Sequence, residues 1–306
     1  MIPTETPATR SILARLLNEA KRTGEMYNTV LARYVGFRFL YRLAQSNHAN
    51  RFLLKGATMF LFWLGEMHRP TRDFDLLGTT ADANELRQIF IDVSGIECED
   101  DGVIFDLDAI HAQPIREDQS YGGVRVVLLG YIGKARVPLQ MDIGFGDVVT
   151  PAPNEVELPG MIRDVPGARM KCYNMETSFA EKLEAMIRLG LANSRMKDFF
   201  DLAKLIRDAD LDLELLSRAI AATFKRRGTG LPQDVPLALT ESFWNDPRVA
   251  IRWGAFVRRN EIVAPLDDLR TNCCTIASVV CPILGELASS HGADYHGADA
   301  GVGEDF

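Results

Sequence analysis

Two aspartates, Asp73 and Asp75, stand one residue apart in the segment Asp73-Phe74-Asp75-Leu76-Leu77. Because apolar residues alternate with the acids, the pattern predicts a short strand whose two carboxylates point to the same face, with Cβ atoms roughly 6.5–7 Å apart. Carboxylates held in this way repel each other unless a cation lies between them. Mg²⁺ suits that position, since it takes a few carboxylate oxygens together with phosphate oxygens and water.

A glycine turn, Lys55-Gly56-Ala57-Thr58, precedes the acid pair along the chain. The apolar residues before it predict a strand over 51–54, and those after it predict a helix over 58–64, with Thr58 as its N-cap. A turn that leads into a helix can hold a phosphate with backbone N–H groups. Together, the turn and the acid pair predict a metal–nucleotide site.

Asp142 is a third acid on an alternating segment, Gln140-Met141-Asp142-Ile143-Gly144. If this strand lies beside the strand of Asp73 and Asp75, its carboxylate can join theirs. Three carboxylates around two metal ions are suited to in-line phosphoryl or nucleotidyl displacement. The alternative is that Asp142 is an ordinary strand aspartate in a turn or a salt bridge.

A second charged cluster lies in the C-terminal half. Lys182 belongs to a helix with an apolar stripe, and Asp198 and Asp201 share an edge of the following helix because they are three residues apart. A lysine near a buried stripe can reach a triphosphate as a point charge. A solvated charged helix face explains the same pattern equally simply.

The elements that must position these residues change in type along the chain. The first fifty residues have helical spacing, strand-like alternation follows, prolines crowd residues 147–168 as in a linker or surface loop, and helical spacing returns from Thr177. These patterns predict an α+β fold with a mixed sheet. We assign N-terminal helices to 1–50, the sheet-containing core to 51–150, a helical C-terminal domain to 151–284 and a disordered acidic tail to 285–306.

The composition is that of a soluble globular protein, with 47% hydrophobic and 25% charged residues among 306. The longest apolar run, Met59–Leu64, is far below the roughly 18 residues that cross a bilayer, and no signal-peptide pattern is present. We therefore expect a cytoplasmic protein without a membrane partner.

The five cysteines and five histidines show no disulfide-framework or zinc-binding spacing. The net charge of −8 argues weakly against a nucleic-acid partner.

Two other acid motifs compete with the first interpretation. Val103-Ile104-Phe105-Asp106-Leu107-Asp108 looks like the first motif of haloacid-dehalogenase-type phosphatases, in which Asp106 would be the nucleophile. That family expects Gly-Thr after the second aspartate and then a helix, whereas this chain continues with Ala109-Ile110 and an extended segment. A glycosyltransferase-type D-x-D at Asp73 would leave Lys55-Gly56 and Lys182 without a role.

The ordered set of motifs resembles the AbiEii/AbiGii toxin family of polymerase-β-like nucleotidyltransferases, to which MenT toxins are related. The resemblance runs from about residue 50 to residue 207 and comprises five motifs. In chain order they are Lys55-Gly56-Ala57-Thr58, Arg69-x-Thr71-x-Asp73-x-Asp75, Asp142-Ile143-Gly144-Phe145-Gly146-Asp147, Glu181-Lys182 and Arg195-Met196-Lys197-Asp198-Phe199-Phe200-Asp201-Leu202. Ala57 departs from the family, which has a second Gly or Ser at this position of the turn.

The resemblance implies a palm-like core over 51–150, a helical second half, NTP as the substrate and Mg²⁺, as two ions, as the cofactor. It implies transfer of nucleotides to an RNA 3′ end, tRNA in MenT-type members, and a cognate antitoxin as a partner. By position, it assigns metal binding to Asp73 and Asp75, with Asp142 as a third candidate. Catalysis falls to Asp73, Asp75, Lys182 and Asp198, and nucleotide binding to Lys55, Gly56, Ala57, Thr58, Arg69 and Lys182.

Two basic segments, Lys225-Arg226-Arg227 and Arg258-Arg259, are candidates for contact with an RNA backbone. Exposed basic faces of this size are also common in proteins that bind no RNA. A non-catalytic protein that binds NTP and a partner is the alternative function, and a phosphatase built on Asp106 is the third.

Overall fold

The computed structural model describes residues 5–65, 67, 69, 71, 73–98, 101–115 and 122–296 of the chain. Within these residues the fold is α+β, as predicted. The helices are α1 (Pro7–Thr23), α2 (Tyr27–Gln45), α3 (Phe60–Trp63), α4 (Ala83–Ser94), α5 (Met175–Leu189), α6 (Met196–Asp208), α7 (Leu213–Arg227), α8 (Glu241–Trp244), α9 (Pro247–Asn260) and α10 (Leu269–His296). The strands are β1 (Phe52–Lys55), β2 (Asp73–Gly78), β3 (Val103–Ile115), β4 (Gly123–Ile132), β5 (Ala135–Phe145), β6 (Asn154–Leu158) and β7 (Ala168–Cys172).

The described strands form one mixed sheet in the order β3-β4-β5-β2-β1-β7-β6. β2 runs parallel to β5, and β1 runs parallel to β7, while the other neighbours are antiparallel. The mixed sheet predicted from the alternating segments is therefore confirmed. The order places β2, which carries the acid pair, between β1 and β5 in the middle of the sheet.

Strand alternation gives this sheet two chemically different faces. On one face, Leu54, Leu76, Ile143 and Val124 lie in register on four adjacent strands and are buried in the core that α1, α2 and α4 complete. The residues that alternate with them are mostly polar and project from the opposite face. The apolar face thus holds the strands in place, and the polar face is left for chemistry.

Two buried arginines fix α2 to the sheet. Arg38 Nε and Arg42 Nη1 donate to the same oxygen of Asp101, at 3.0 and 2.6 Å. Arg42 also donates to the carbonyl oxygen of Val103, the first residue of β3. All three charged side chains are nearly inaccessible, and a buried charge persists only when it is paired and hydrogen-bonded in this way.

The described chain divides into two compact units whose boundary differs from the predicted one. The first comprises Met1–Asp147 and Pro153–Tyr173, and the second comprises Val148–Ala152 and the chain from Asn174 onward. This division differs from the predicted boundary at residue 150, because the proline-rich segment contains β6 and leads to β7. Both strands extend the sheet beside β1. The helices predicted for 1–50 also belong to the first unit.

The second unit is helical, as predicted from Thr177 onward. Asn174 caps α5 by accepting a hydrogen bond from the backbone N–H of Thr177, and Asp212 caps α7 in the same way. The Thr177 hydroxyl donates to the carbonyl oxygen of Thr150, which joins the short segment Val148–Ala152 to the start of α5. Phe199 and Phe243 stack with ring centroids 5.1 Å apart.

The last helix, α10, corrects two expectations. Residues 285–296, predicted to be disordered, continue this helix, and only 297–306 of the predicted tail lie outside the described residues. Its segment Leu269–Ser289 is also long and apolar enough to cross a membrane by length and composition, with a mean hydropathy of 1.4. The expectation that no such segment exists was therefore wrong, because Leu, Ile, Val, Cys and Ala are spread among uncharged polar residues in this helix and form no single long apolar run. Core helices pass the same test, and Ile276 and Val280 of α10 are fully buried.

Candidate active site

A row of charged side chains crosses the polar face of the sheet on four adjacent strands. Arg125 of β4 lies opposite Asp142 of β5, Asp142 lies opposite Asp75 of β2, and Asp75 lies opposite Lys55 of β1. Register partners in a sheet project from the same face, so the row reads positive, negative, negative, positive. Asp73 projects from the same face one pair further along β2, opposite Gln140.

The glycine turn is in direct contact with the acid pair. Gly56 has φ 77° and ψ −157°, a conformation that is essentially restricted to glycine. A Cβ atom at Gly56 would lie 2.7 Å from Cγ of Asp75 and closer still to a carboxylate oxygen. Glycine is therefore required here both by the backbone conformation and by the space that the Asp75 carboxylate occupies.

Lys55 is held beside this turn by two further groups. Its Nζ lies 3.3 Å from Oδ2 of Asp147 and donates, at 3.3 Å, to the hydroxyl of Tyr173, whose ring centroid is 4.9 Å away. Tyr173 is buried, and its backbone N–H donates to the carbonyl oxygen of Leu54. Lys55 is thus a positioned cation at the end of the row, as a triphosphate contact would need to be.

Asp142 is engaged at both of its oxygens by one arginine. Arg125 Nε donates to Oδ1 at 2.8 Å, and Arg125 Nη2 donates to Oδ2 at 2.9 Å. This hydrogen-bonded contact raises the pKa of the Arg125 guanidinium above its usual value, and the charges of Asp142, Asp73 and Asp75 add to the effect. The strand of Asp142 does lie beside that of Asp73 and Asp75, as required for the third ligand, but its carboxylate forms the salt bridge that was the alternative.

The residues present fit a divalent cation held by the two β2 carboxylates. Mg²⁺ binds through one or two carboxylates and completes its octahedron with water and substrate phosphates. In the part of the chain that the structure describes, no three His, Cys, Asp or Glu side chains converge closely enough to enclose a metal ion. Asp73 and Asp75 would supply the oxygens, while Asp142 would have to leave Arg125 before it could add a third group.

The predicted role of the helix after the glycine turn needs correction. Thr58 does not cap a helix over 58–64. Instead, a 3₁₀ turn over Ala57–Met59 begins at Gly56, and α3 that follows has only one turn. Ala57 and Thr58 are buried within this turn. The turn is tight because Met59 N–H donates back to the carbonyl oxygen of Gly56 at 3.2 Å. Arg69 is also largely buried.

The charged cluster of the second unit is buried rather than solvated. Lys182 Nζ donates to Oδ1 of Asp198 and Oδ2 of Asp201, each at 2.8 Å, so one ammonium joins α5 to two carboxylates of α6. Arg195 Nε donates to the second oxygen of Asp198 at 2.6 Å. Both aspartates are fully inaccessible, which rules out the solvated-face alternative for this cluster.

Burial and charge act in opposite directions on Asp198. Burial raises the pKa of its carboxyl, but the nearby Lys182 and Arg195 outweigh that effect and lower the pKa to about 2. Asp198 is therefore ionised at neutral pH. Its charge and its hydrogen bonds fix Lys182 on the inner side of α5.

Comparison with known proteins adds to this geometry. The family described as "Nucleotidyl transferase AbiEii toxin, Type IV TA system" matches residues 38–272, which is more than half of the chain. The chain belongs to the AbiEii nucleotidyltransferase toxin family. It is accordingly a nucleotidyltransferase of a type IV toxin–antitoxin system, and the resemblance drawn from its motifs is confirmed.

Solved structures that resemble this AbiEii protein are distant from it in sequence. MenT4, the nucleotidyltransferase toxin Rv2826c from Mycobacterium tuberculosis H37Rv, is 20% identical with a TM-score of 0.50, over 91% of this chain and 98% of that chain. JHP933 from Helicobacter pylori is 17% identical with a TM-score of 0.49, over 87% of this chain and 97% of that chain. No curated protein sequence matches the chain.

The competing phosphatase motif lies on an edge strand of the sheet, four strands away from β1 and the glycine turn. β3 is the edge strand, and it runs through Asp106 and Asp108 to Ile115 without the helix that such phosphatases place after this motif. Asp106 lies opposite Leu129 in the register of β3 and β4. Family membership and this strand geometry together remove the phosphatase alternative.

Three residues of the site were missed in the sequence. Arg125 interrupts the apolar residues of β4, and the turn between β4 and β5 fixes its register opposite Asp142, so a count from the hairpin could have found it. Asp147 ends the family motif that begins at Asp142, but no role was assigned to it. Tyr173 follows β7, a strand that was not predicted, so nothing in the local pattern indicated its contact with Lys55.

Proposed function

We propose that this AbiEii nucleotidyltransferase uses Mg²⁺ to transfer a nucleotide from an NTP to the 3′ end of an RNA, with tRNA as the expected acceptor. The observation that carries the proposal is the row on the sheet. Asp73 and Asp75 share one face, Gly56 packs against Asp75, and Lys55 stands at the end of the same row. Two oxygen ligands, a glycine-only turn and a fixed cation are the groups that a metal–triphosphate needs.

In the proposed reaction, the acceptor 3′-hydroxyl oxygen bonds to the α-phosphorus of the NTP, the bond from that phosphorus to the bridging oxygen breaks, and pyrophosphate leaves with its electron pair. The hydroxyl proton passes to solvent. A Mg²⁺ ion held by Asp73 and Asp75 would lower the pKa of the attacking hydroxyl and would neutralise charge on the leaving group. The contribution of the chain is positioning and charge: Asp73 and Asp75 hold the cation, and Lys55 and Arg69 contact the triphosphate.

The family resemblance assigns nucleotide binding to Lys182 and catalysis to both Lys182 and Asp198. We retain those roles as part of the proposal. Their geometry within the second unit supports a structural role as well, since Lys182 holds two buried carboxylates of α6. The two roles are separable, because loss of a nucleotide contact changes the affinity for NTP while loss of a buried ion pair lowers the free energy of unfolding.

The physiological setting follows from the same chemistry. A toxin that blocks the 3′ end of tRNA would stop aminoacylation, and a cognate antitoxin would be needed to relieve that block. NTP and tRNA are cytoplasmic, so the cytoplasm is the expected compartment. The choice of tRNA rests on the resemblance to MenT-type toxins and is the part of the proposal that the acceptor assay addresses.

The test is transfer of label from each α-³²P-labelled NTP to total tRNA, with EDTA as the metal-free control. We expect transfer by the wild-type protein and none by Asp73→Asn, which exchanges a metal ligand for a neutral amide of the same size. Asp106→Asn is the matched control, since Asp106 is also a strand aspartate of the same sheet but lies at its far edge. Equal transfer by the wild type and Asp73→Asn would refute the metal site, and NTP binding without transfer to any RNA would favour the non-catalytic alternative.

A further inference from the structure

The Arg125–Asp142 pair joins the row of the candidate site to an open cavity at its far end. Gln113, Pro114, Ile115 and Arg125 border this cavity, whose volume is about 600 Å³. Gln113 lies opposite Arg125 in the register of β3 and β4, so the cavity continues the polar face beyond Asp142. A cavity of this size is within the range that accommodates a small ligand such as one nucleotide.

Arg125 occupies the position that a cation would need in order to engage Asp142. Its Nε and Nη2 cover the two oxygens of that carboxylate at 2.8 and 2.9 Å, in the two-pronged geometry that arginine forms with carboxylates and also with phosphates. The Arg125 side chain is 36% exposed and that of Asp142 is 23% exposed, so neither is locked in the core. An ion pair of this exposure is weak enough to be exchanged for a stronger partner.

The two cations of the row flank the carboxylates from opposite sides. Three strand spacings separate the positions of Arg125 and Lys55, which amounts to about 14 Å. Nucleotidyl transfer brings two anionic reactants together, the triphosphate and the acceptor strand. Since Lys55 and the glycine turn lie on one side of Asp75, the cation on the other side is placed for the second reactant.

We propose that Arg125 is an acceptor-binding arm, which binds a phosphate of the RNA acceptor in the cavity bordered by Gln113. When a divalent cation is bound at Asp73 and Asp75, Asp142 turns toward that cation. Arg125 then loses its carboxylate partner and is released to bind the phosphate. The inference deepens the proposed nucleotidyl transfer and rests on it. It assigns Arg125 two exclusive partners, a carboxylate in the metal-free protein and a phosphodiester in the loaded one.

The first measurement is the affinity of the full chain for Mn²⁺ without nucleotide, by electron paramagnetic resonance or calorimetry. Arg125→Gln removes the competing cation, so Mn²⁺ should bind about fivefold more tightly than to the wild type, the factor that loss of a partly exposed ion pair predicts. Arg33→Gln is the matched control, because Arg33 of α2 also makes a two-pronged pair with a carboxylate, that of Glu25 at 2.6 and 2.8 Å, and neither residue belongs to the sheet. It should leave the Mn²⁺ affinity unchanged.

The second measurement is the affinity for a short single-stranded RNA with a free 3′-hydroxyl, with Mg²⁺ present and over a range of salt concentrations. Arg125→Gln should weaken RNA binding and lower the slope of log K against log salt by about 0.7, the value for one phosphate contact on a single strand. Binding of a non-hydrolysable NTP should be unchanged. Arg125→Lys keeps the charge without the two-pronged geometry and should restore most of the RNA affinity.

The outcomes separate this inference from the proposed function. Tighter Mn²⁺ binding together with weaker RNA binding in Arg125→Gln would support the acceptor-binding arm. An unchanged or weakened affinity of Arg125→Gln for Mn²⁺ would overturn the inference. A loss of affinity for the NTP with no loss of affinity for RNA would also overturn it. If Asp73→Asn binds Mn²⁺ as tightly as the wild type does, or if the wild type binds none, Asp73 is not a metal ligand. The metal site then fails, and the proposed function fails with it.

Discussion

Replacement of Gly56 by alanine tests the contact on which the candidate site is built. The backbone at Gly56 has φ 77° and ψ −157°, a region that costs a residue with a side chain about 1–3 kcal/mol. The new methyl carbon would also lie 2.7 Å from Cγ of Asp75, so the carboxylate or the turn must move. Overpacking of this kind adds about 1–3 kcal/mol. We therefore expect the free energy of unfolding to fall by about 2–6 kcal/mol.

The displaced group is a metal ligand in the proposed site, so the same substitution should reduce function beyond its effect on stability. Gly56→Ala should bind Mn²⁺ more weakly than the wild type under conditions in which both are folded. It should also lose label transfer from NTP to RNA. Both effects follow from movement of one carboxylate, since Asp75 is the side chain in the way.

Gly144→Ala is the matched control on the same polar face. A Cβ atom there would lie 3.7 Å from Nζ of Lys55 and 4.0 Å from the carbonyl oxygen of Leu76, which are ordinary contact distances. Glycine in a strand interior is entropically unfavourable by roughly 0.5–1 kcal/mol relative to alanine, so the control should be neutral or slightly stabilised. Urea unfolding of the two variants measures the difference. If Gly56→Ala unfolds at the same urea concentration as Gly144→Ala, the reasoning from the Gly56–Asp75 contact is refuted.

Two further predictions concern the buried cluster of the second unit. Lys182→Met removes the ammonium shared by Asp198 and Asp201 and should lower the free energy of unfolding by about 3–5 kcal/mol, as measured by urea unfolding. Lys204→Met, which affects a surface pair with Asp208, should cost less than about 1 kcal/mol, and equal losses would contradict the structural role. Because the pKa of Asp198 is lowered from 3.8 to about 2, its contribution to stability is complete above about pH 4 and is lost as the pH falls toward 2. Asp198→Asn should therefore unfold with a weaker acid dependence in that window, and an unchanged dependence would count against the ionised buried carboxylate.

The strands of the candidate site could be predicted where the alternation of apolar residues and the types of the site residues indicate the same element. Alternation around Asp73 and Asp75 correctly predicted β2, and the apolar residues before Gly56 correctly predicted β1. The register of Arg125 with Asp142 was within reach as well, because the two strands form a hairpin with a short turn. What was missing was the expectation that an arginine would stand beside a candidate metal ligand.

Elements whose local signal is weak were predicted poorly. β6 and β7 have five residues each, and prolines crowd the segment around β6. These two strands therefore depend on their pairing with each other and on the pairing of β7 with β1. The Gly-rich start of the predicted tail continues α10 because that helix is already anchored by buried residues upstream, such as Ile276 and Val280. In each case tertiary contact outweighs local propensity.

Burial of Lys182, Asp198 and Asp201 could not have been read from spacing either. The separation of three residues places both acids on one edge of α6, but it does not say whether that edge faces water or another helix. The deciding fact is the packing of α5 against α6, which brings the lysine to both carboxylates. Charge patterns of this kind therefore become interpretable only when the partner helix is known.

The charge order across the sheet opposes the repulsion between the two acids that lie on adjacent strands. At a separation of about 5 Å and an effective dielectric constant near 20, Asp75 and Asp142 would repel each other by about 3 kcal/mol. Arg125 pairs with Asp142 at 2.8 Å, and Lys55 stands opposite Asp75 in the strand register, so a positive charge flanks the two acids on each side. In the proposed site, a cation that recruits Asp142 would have to displace Arg125, so its affinity should depend on the strength of the Arg125–Asp142 pair.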